Sequence, residues 1–78
     1  MILNVKEKIK ETDFETIRKS NDNEIILDLK SVEYLGSRDI TRLLVILKEG
    51  KIIKLKNANL HIVDTLNVLK IEDMLKII

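Results

Sequence analysis

The most chemically suggestive residue in this sequence is a serine at the junction between a turn and an apolar helix. The turn at residues 35–37 leads into a helix that we predict over residues 40–47. The hydroxyl of Ser37 can accept a hydrogen bond from the first free amides of that helix, as an N-cap. The same amides favour an anion, so a phosphoryl group would also be tolerated there. Ser37 is therefore predicted to be an N-cap, a regulatory serine or both.

Two other polar residues could do chemistry, and each has a plainer interpretation. Asp28 interrupts an apolar strand predicted over residues 24–29, where burial would raise the pKa of its carboxyl and make it an acid. We favour the alternative, a carboxylate that accepts a hydrogen bond from a neighbouring loop amide. His61 is the only histidine and is predicted to face solvent near the start of a helix. We therefore expect no catalytic triad, no metal site, no cofactor and no enzymatic activity.

The composition suits one small domain that spans residues 1–78. The chain is 45% apolar and contains no cysteine, which excludes disulfides and thiolate metal sites and is typical of a cytoplasmic protein. Its 14 basic and 13 acidic residues are well mixed, which argues against a nucleic-acid partner. The longest apolar run covers residues 43–47, whereas a membrane span needs ~18 or more. We expect no membrane insertion and no secretion signal.

The first half of the chain is predicted to form two strands and one helix. Alternating apolar residues indicate an edge strand near residues 2–9, with charges that discourage further pairing. A helix is predicted over residues 13–20, opened by a capping box between Thr12 and Glu15. Its buried side chains are predicted to be Phe14 and Ile17. The apolar strand at residues 25–29 is predicted to be central and covered on both faces.

The second half is predicted to repeat this alternation. The helix over residues 40–47 ends near Gly50, a left-handed C-terminal cap. Its predicted buried side chains are Ile40, Leu43, Leu44 and Leu47. A strand over residues 51–56 precedes a helix over residues 60–70 whose N-cap is Asn59. Its predicted buried side chains are Ile62, Val63, Leu66 and Leu69.

The last eight residues, 71–78, are predicted to form a short helix or a final strand. The resulting β-α-β-α-β-α order with short connections predicts parallel neighbours and right-handed crossovers. We therefore predict a small α/β domain whose mixed, mostly parallel sheet has about three to four strands with helices packed against it.

From residue 24 onward, the pattern resembles the STAS domain of bacterial anti-sigma factor antagonists. Such domains have a strand ending in Asp-Leu, a short shoulder, a serine-containing turn, an apolar helix, a glycine, a strand ending in asparagine and a closing helix. The matching segments here are residues 26–29, 32–35 and 36–40, then Gly50, residues 52–57, Val63, Leu66, Leu69 and Ile71. The resemblance covers roughly the last two-thirds of the chain and implies a STAS-like fold.

The resemblance also implies a function. In the family, the first serine of the turn is phosphorylated by a partner serine kinase that is itself the anti-sigma factor, and Ser37 matches that serine. The unphosphorylated domain binds the kinase and frees the sigma factor, whereas phosphorylation breaks the complex. Gly36 replaces the usual acid before the serine, and Arg38 and Asp39 replace the usual small residue and glycine. The predicted partner surface consists of Gly36, Ser37, Arg38, Asp39, Thr41, Arg42 and Val45.

Alternatives remain open for this surface. Val45 and Ile46 make the helix apolar on more sides than an exposed helix needs, which favours cover by a partner or by a homodimer over an ordinary solvated face. A second function is a STAS subunit bound to the ATPase of a lipid-transport ABC complex, or in a signalling scaffold, where no phosphorylation is needed. A third is a small enzyme, which the missing catalytic sets disfavour.

Overall fold

The computed structural model describes residues 1–78 and contains a four-stranded sheet whose strands are all parallel. The strands lie side by side in chain order and are β1 (Ile2–Asn4), β2 (Glu24–Asp28), β3 (Ile52–Lys56) and β4 (Lys76–Ile77). Three helices alternate with them, namely α1 (Glu11–Lys19), α2 (Ser37–Lys48) and α3 (Leu60–Val68). The predicted α/β fold and order of elements are confirmed, although the sheet is parallel throughout and not mixed.

All three helices cover the same face of the sheet. Right-handed crossovers between strands that are neighbours in chain order all lie on one side. The burial pattern agrees, because Ile25 and Leu27 of β2 and Ile53 and Leu55 of β3 are fully buried. These residues belong to one hydrophobic cluster of 17 buried side chains that also includes the inner faces of the helices. The core therefore lies between one face of the sheet and a single layer of helices.

The other face of the sheet has no helix over it, and we call it the open face. It carries the side chains that alternate with the buried ones, namely Ile2, Asn4, Glu24, Ile26, Asp28, Ile52, Lys54, Lys56 and Lys76. Ile26 is half-buried, and Ile52 is 44% exposed. The prediction that the strand at residues 25–29 is covered on both faces is therefore wrong. The apolar run of β2 suggested double cover, but chain-order pairing directs every crossover to one side.

The edge position predicted for the first strand is confirmed, although the strand is shorter than predicted. β1 ends at Asn4, and the chain then leaves the sheet through Glu7, which has a left-handed backbone with φ of 63°. Val5 and Ile9 are still buried in the core. The apolar alternation thus continues beyond the strand because the connecting loop also packs against the helices.

The capping box predicted for the first helix is wrong in position. α1 begins two residues earlier than predicted, and the carboxylate of Asp13 accepts a hydrogen bond from the backbone amide of Lys10 at 2.9 Å. Thr12 and Glu15 consequently lie inside the helix. An acid at the third helical position can reach back to the N-cap amide, so Asp13 sets the start. The predicted burial of Phe14 and Ile17 is confirmed.

The caps predicted at the end of the second helix and at the start of the third are present. Gly50 follows α2 with φ of 102°, a conformation that costs glycine little. Asn59 is the N-cap of α3, and its side-chain oxygen accepts a hydrogen bond from the amide of Ile62 at 2.9 Å. Both signals are local, which is why the sequence places them correctly.

The predicted end of α3 needs correction. The helix stops at Val68, and Leu69 is 50% exposed, so the prediction that Leu69 is buried is wrong. Val63 is half-buried, whereas Ile62 and Leu66 are fully buried as predicted. Of the two structures predicted for residues 71–78, the strand forms as β4, next to the fully buried Leu75. The early end of the helix gives the chain room to return to the sheet.

Candidate docking surface on helix α2

Ser37 is the first residue of α2 and is exposed to solvent. The N-cap is Gly36, whose backbone is extended and whose carbonyl accepts a hydrogen bond from the amide of Ile40 at 3.0 Å. The prediction that Ser37 is the N-cap is therefore wrong by one position. Glycine is acceptable as an N-cap, so the helix starts earlier and the serine lies within its first turn.

The amino end of α2 has no capping side chain. Glycine offers no side-chain acceptor, whereas the side chain of Asn59 accepts from the Ile62 amide at the start of α3. In α1 the Asp13 carboxylate accepts from the amide of the N-cap residue itself, Lys10. The first amides of a helix have no intrahelical partner and carry the positive end of the helix dipole. Asp39 places the only acidic side chain of α2 in this first turn, which favours the dipole. The helix dipole would favour a negative charge on Ser37, whereas the Asp39 carboxylate in the same turn would repel it.

A stripe of exposed side chains runs along α2 from Ser37. Thr41 and Val45 follow at intervals of four residues, so all three share one side of the helix. The hydroxyl of Thr41 donates a hydrogen bond to the carbonyl oxygen of Ser37 at 2.8 Å. Val45 is 41% exposed although its side chain is purely apolar. We call these three residues the α2 stripe.

An apolar groove of about 430 Å³ adjoins the α2 stripe. Its lining consists of Thr41, Leu44, Val45, Leu47, Lys48 and Met74. Thr41 and Val45 belong to both the stripe and the groove, so the two form one continuous surface. Met74, which is 57% exposed, comes from the loop before β4 and was not predicted. Met74 reaches the groove because the chain returns to the sheet at β4, and no local sequence pattern predicts that return.

The buried face of α2 differs in part from the prediction. Ile40 and Leu43 are buried as predicted, and Ile46 is fully buried although it was predicted to lie on a more exposed side. Leu44 and Leu47 are only half-buried and line the groove. The helix is thus turned slightly from the predicted orientation, which gives the groove its apolar lining.

Arg42 has an intramolecular role on the side of α2 that faces α1. Its two terminal nitrogens donate to the two carboxylate oxygens of Glu11 at 2.6 Å each, and its guanidinium carbon lies 4.2 Å from the centre of the Phe14 ring. The hydrogen bond from Arg42 lowers the pKa of Glu11, and the bond to Glu11 raises the pKa of Arg42. Arg42 therefore connects α2 to α1 and is directed away from the α2 stripe.

The predicted partner surface consequently divides into two parts. Ser37, Thr41 and Val45 form the α2 stripe. The remaining four predicted residues line a separate cleft of about 560 Å³ between α2, the loop after β1 and Tyr34, and they are Gly36, Arg38, Asp39 and Arg42. Both acidic and basic side chains line this cleft, whereas the groove beside the stripe is mainly apolar. A protein partner that buries apolar surface is better matched to the stripe than to the cleft.

The other two candidate residues of the sequence have ordinary environments. The Asp28 carboxylate accepts hydrogen bonds from the side-chain amide of Asn57 at 3.0 Å and from the backbone amide of Lys30 at 3.1 Å. Both hydrogen bonds lower the pKa of Asp28, and the one from Asn57 has the larger effect. The interpretation of Asp28 as a carboxylate bonded to a loop amide is confirmed, and the alternative of a raised pKa is wrong. His61 is exposed, as predicted.

No known protein family matches the chain, and a search of curated proteins finds no similar one. None of the three helices has the length and apolar character that crossing a membrane requires. The structure thus defines an α/β domain with an exposed serine and an adjacent apolar groove on one helix, and its function must be proposed from that surface.

Proposed function

We propose that this chain is a non-enzymatic, cytoplasmic binding module of the anti-sigma factor antagonist type, which docks a serine-kinase anti-sigma factor and is switched by phosphorylation of Ser37. The observation that supports this best is the continuity of the α2 surface. An exposed serine heads a stripe that leads through Thr41 to Val45 and into an apolar groove. A partner that fills the groove would lie within reach of the serine.

Phosphorylation at this position would spare the fold. The side chain of Ser37 is exposed, and the helix does not depend on it for its N-cap. A phosphoryl group adds a charge of about −1.5 to −2, which the positive end of the helix dipole favours. The stability of the domain should therefore change little when Ser37 is modified.

The same charge would act strongly on a docked partner. The residues three and four positions after Ser37 are Ile40 and Thr41, so α2 has no cation at the spacing that favours a side-chain pair with the phosphate. A partner packed over the α2 stripe would remove water from an unpaired charge, which is costly. Phosphorylation is thereby expected to release the partner while the domain stays folded.

The phosphorylation step is tested with the purified domain, a candidate anti-sigma serine kinase and ATP. We expect intact-mass spectrometry to detect one added phosphoryl group, which Ser37→Ala abolishes. Ser31→Ala is the matched control, because Ser31 is also an exposed serine but lies in the loop after β2. Phosphate on Ser31 in place of Ser37 would contradict the proposal.

The docking step is tested by titration calorimetry with the same kinase. We expect Ser37→Asp and Val45→Lys each to weaken binding at least tenfold while the melting temperature stays within a few degrees of wild type. Equal binding of the phosphorylated and unmodified domains would refute the switch. Tight binding to an ABC-transporter ATPase subunit with no modification would favour the second function, a non-phosphorylated STAS subunit of a lipid-transport complex or a signalling scaffold.

A further inference from the structure

The open face leaves one side of a parallel sheet without cover. Parallel sheets occur almost only with both faces covered, because their crossovers usually place helices on each side. Here all crossovers lie on one side, and the bare side exposes isoleucines, among them Ile2 at 61% and Ile52 at 44%. This surface is independent of the α2 surface, which lies on the helix layer at the opposite side of the molecule.

The charges on the open face are sorted by strand. β2 contributes the acids Glu24 and Asp28, whereas β3 and β4 contribute the lysines Lys54, Lys56 and Lys76. One intramolecular ion pair joins Lys54 to Glu24 at 2.8 Å. Neither Lys56 nor Lys76 has a carboxylate within ion-pair distance. The face thus has an acidic side, a basic side and lysines available for a partner.

This sorting makes the open face complementary to itself. If two copies pack face to face about a two-fold axis parallel to the strands and between β2 and β3, each β2 lies over the β3 of the other copy. The strand register places Asp28 level with Lys56, so these two residues oppose each other across the interface. An axis perpendicular to the strands would instead place each β3 over the β3 of the other copy, with lysines opposite lysines. Like charges in an interface are costly, so the charges select the parallel axis.

We propose that the open face is the contact surface for a second copy of this chain, in the parallel two-fold arrangement. Two sheets packed this way keep their strands nearly aligned, as in other face-to-face sheet pairs. The exposed isoleucines are buried, and the stems of the lysines cover them while the charged ends reach the acids of the other copy. Both helix layers remain outside, so the dimer presents two α2 surfaces.

The arrangement is tested at Ile2. The register places Ile2, Ile26, Lys54 and Lys76 at one level across the four strands. The two-fold axis lays β1 over the β4 of the other copy, so Ile2 lies opposite Lys76 of that copy. Ile2→Glu and Ile2→Lys remove the same exposed apolar side chain from the edge strand. In the proposed dimer Ile2→Glu places a carboxylate opposite a lysine, once in each half of the two-fold interface. Ile2→Lys places a lysine opposite a lysine at the same two positions. We expect the dimer dissociation constant of Ile2→Glu to be lower than that of Ile2→Lys by on the order of tenfold at low salt, by sedimentation velocity.

A matched pair of controls separates this effect from net charge. Asn67→Glu and Asn67→Lys make the same charge changes at an exposed position on α3, away from the sheet, and should have equal dissociation constants. Circular dichroism melts establish that all variants fold. A wild-type chain that stays monomeric up to millimolar concentration would overturn the proposal. So would equal affinities for the two Ile2 variants, or a weaker dimer for Ile2→Glu than for Ile2→Lys.

Discussion

The two faces of the sheet are built from alternate residues of the same strands, yet only one of them forms the core. Ile52 and Ile53 are adjacent and chemically identical, but Ile52 lies on the open face and Ile53 is fully buried under the helices. Ile26 and Leu27 differ in the same way on β2. The comparison teaches that the helix layer, and not the strand sequence, decides which of these side chains stabilises the fold.

The largest effect is expected from truncating the two adjacent isoleucines of β3, one on the buried face of the sheet and one on the open face. Ile53→Ala should lower the free energy of unfolding by about 2–5 kcal/mol, because it leaves a cavity in the core. Ile52→Ala should cost less than about 1 kcal/mol in the monomer, because its side chain is already largely in water. Urea denaturation at low protein concentration measures both. Equal losses would show that the open face is covered in the monomer.

A smaller effect tests how the helix layer is held over the covered face. Asn59 caps α3 through Ile62, and its side-chain nitrogen donates to the carbonyl of Glu33 at 2.8 Å. Asn59→Ala should therefore cost about 1–2 kcal/mol in urea denaturation. Asn67→Ala, at an exposed position of the same helix, is the control and should be nearly neutral. A neutral Asn59→Ala would mean that packing alone positions α3.

The smallest expected effect is the contribution of the carboxylates on the open face of the sheet to stability at low pH. Two carboxylates of the open face have lowered pKa values, Glu24 mainly through its hydrogen bond from Lys54 and Asp28 mainly through that from Asn57. A carboxyl whose pKa is lowered by folding stabilises the fold above its ordinary pKa, here 4.5 for glutamate and 3.8 for aspartate. That stability is lost as the pH falls through the lowered values. The buried face of the sheet carries no carboxyl group and makes no such contribution.

We therefore expect the melting temperature to fall as the pH drops from 5 toward about 2, and to fall less steeply in the double variant Glu24→Gln, Asp28→Asn. Thermal melts followed by circular dichroism measure both slopes. Glu33→Gln removes one negative charge outside the open face and serves as the control. An unchanged acid slope in the double variant would assign the acid sensitivity to other carboxylates, such as Glu11, whose pKa is also lowered.

The candidate site shows where prediction from the sequence succeeds and where it fails. The serine at a turn-to-helix junction is predicted from residue types alone. The helix, however, begins at Ser37, three residues before the predicted start, and Gly36 serves as its N-cap. The groove is missed, since Met74 lies far along the chain and reaches α2 only through the return to β4. The ion pair between Arg42 and Glu11 joins residues that are 31 positions apart, so helical spacing does not predict it.

The apolar run in α2 illustrates the same limit. Residues 43–47 are all apolar, so periodicity alone does not determine the rotation of the helix. The structure buries Leu43 and Ile46 and leaves Leu44 and Leu47 at the groove. Packing against the sheet selects one rotation among several that have similar apolar faces, and that choice creates the surface on which the proposed function depends.

The sequence by itself determined the order of strands and helices and several of their boundaries. These features depend on interactions within a few residues, such as the left-handed backbone of Gly50 and the cap at Asn59. Only the tertiary structure decided that the strands pair in chain order and that one face of the sheet stays open. Strand pairing joins residues that are distant in the chain, and the side taken by each crossover follows from that pairing.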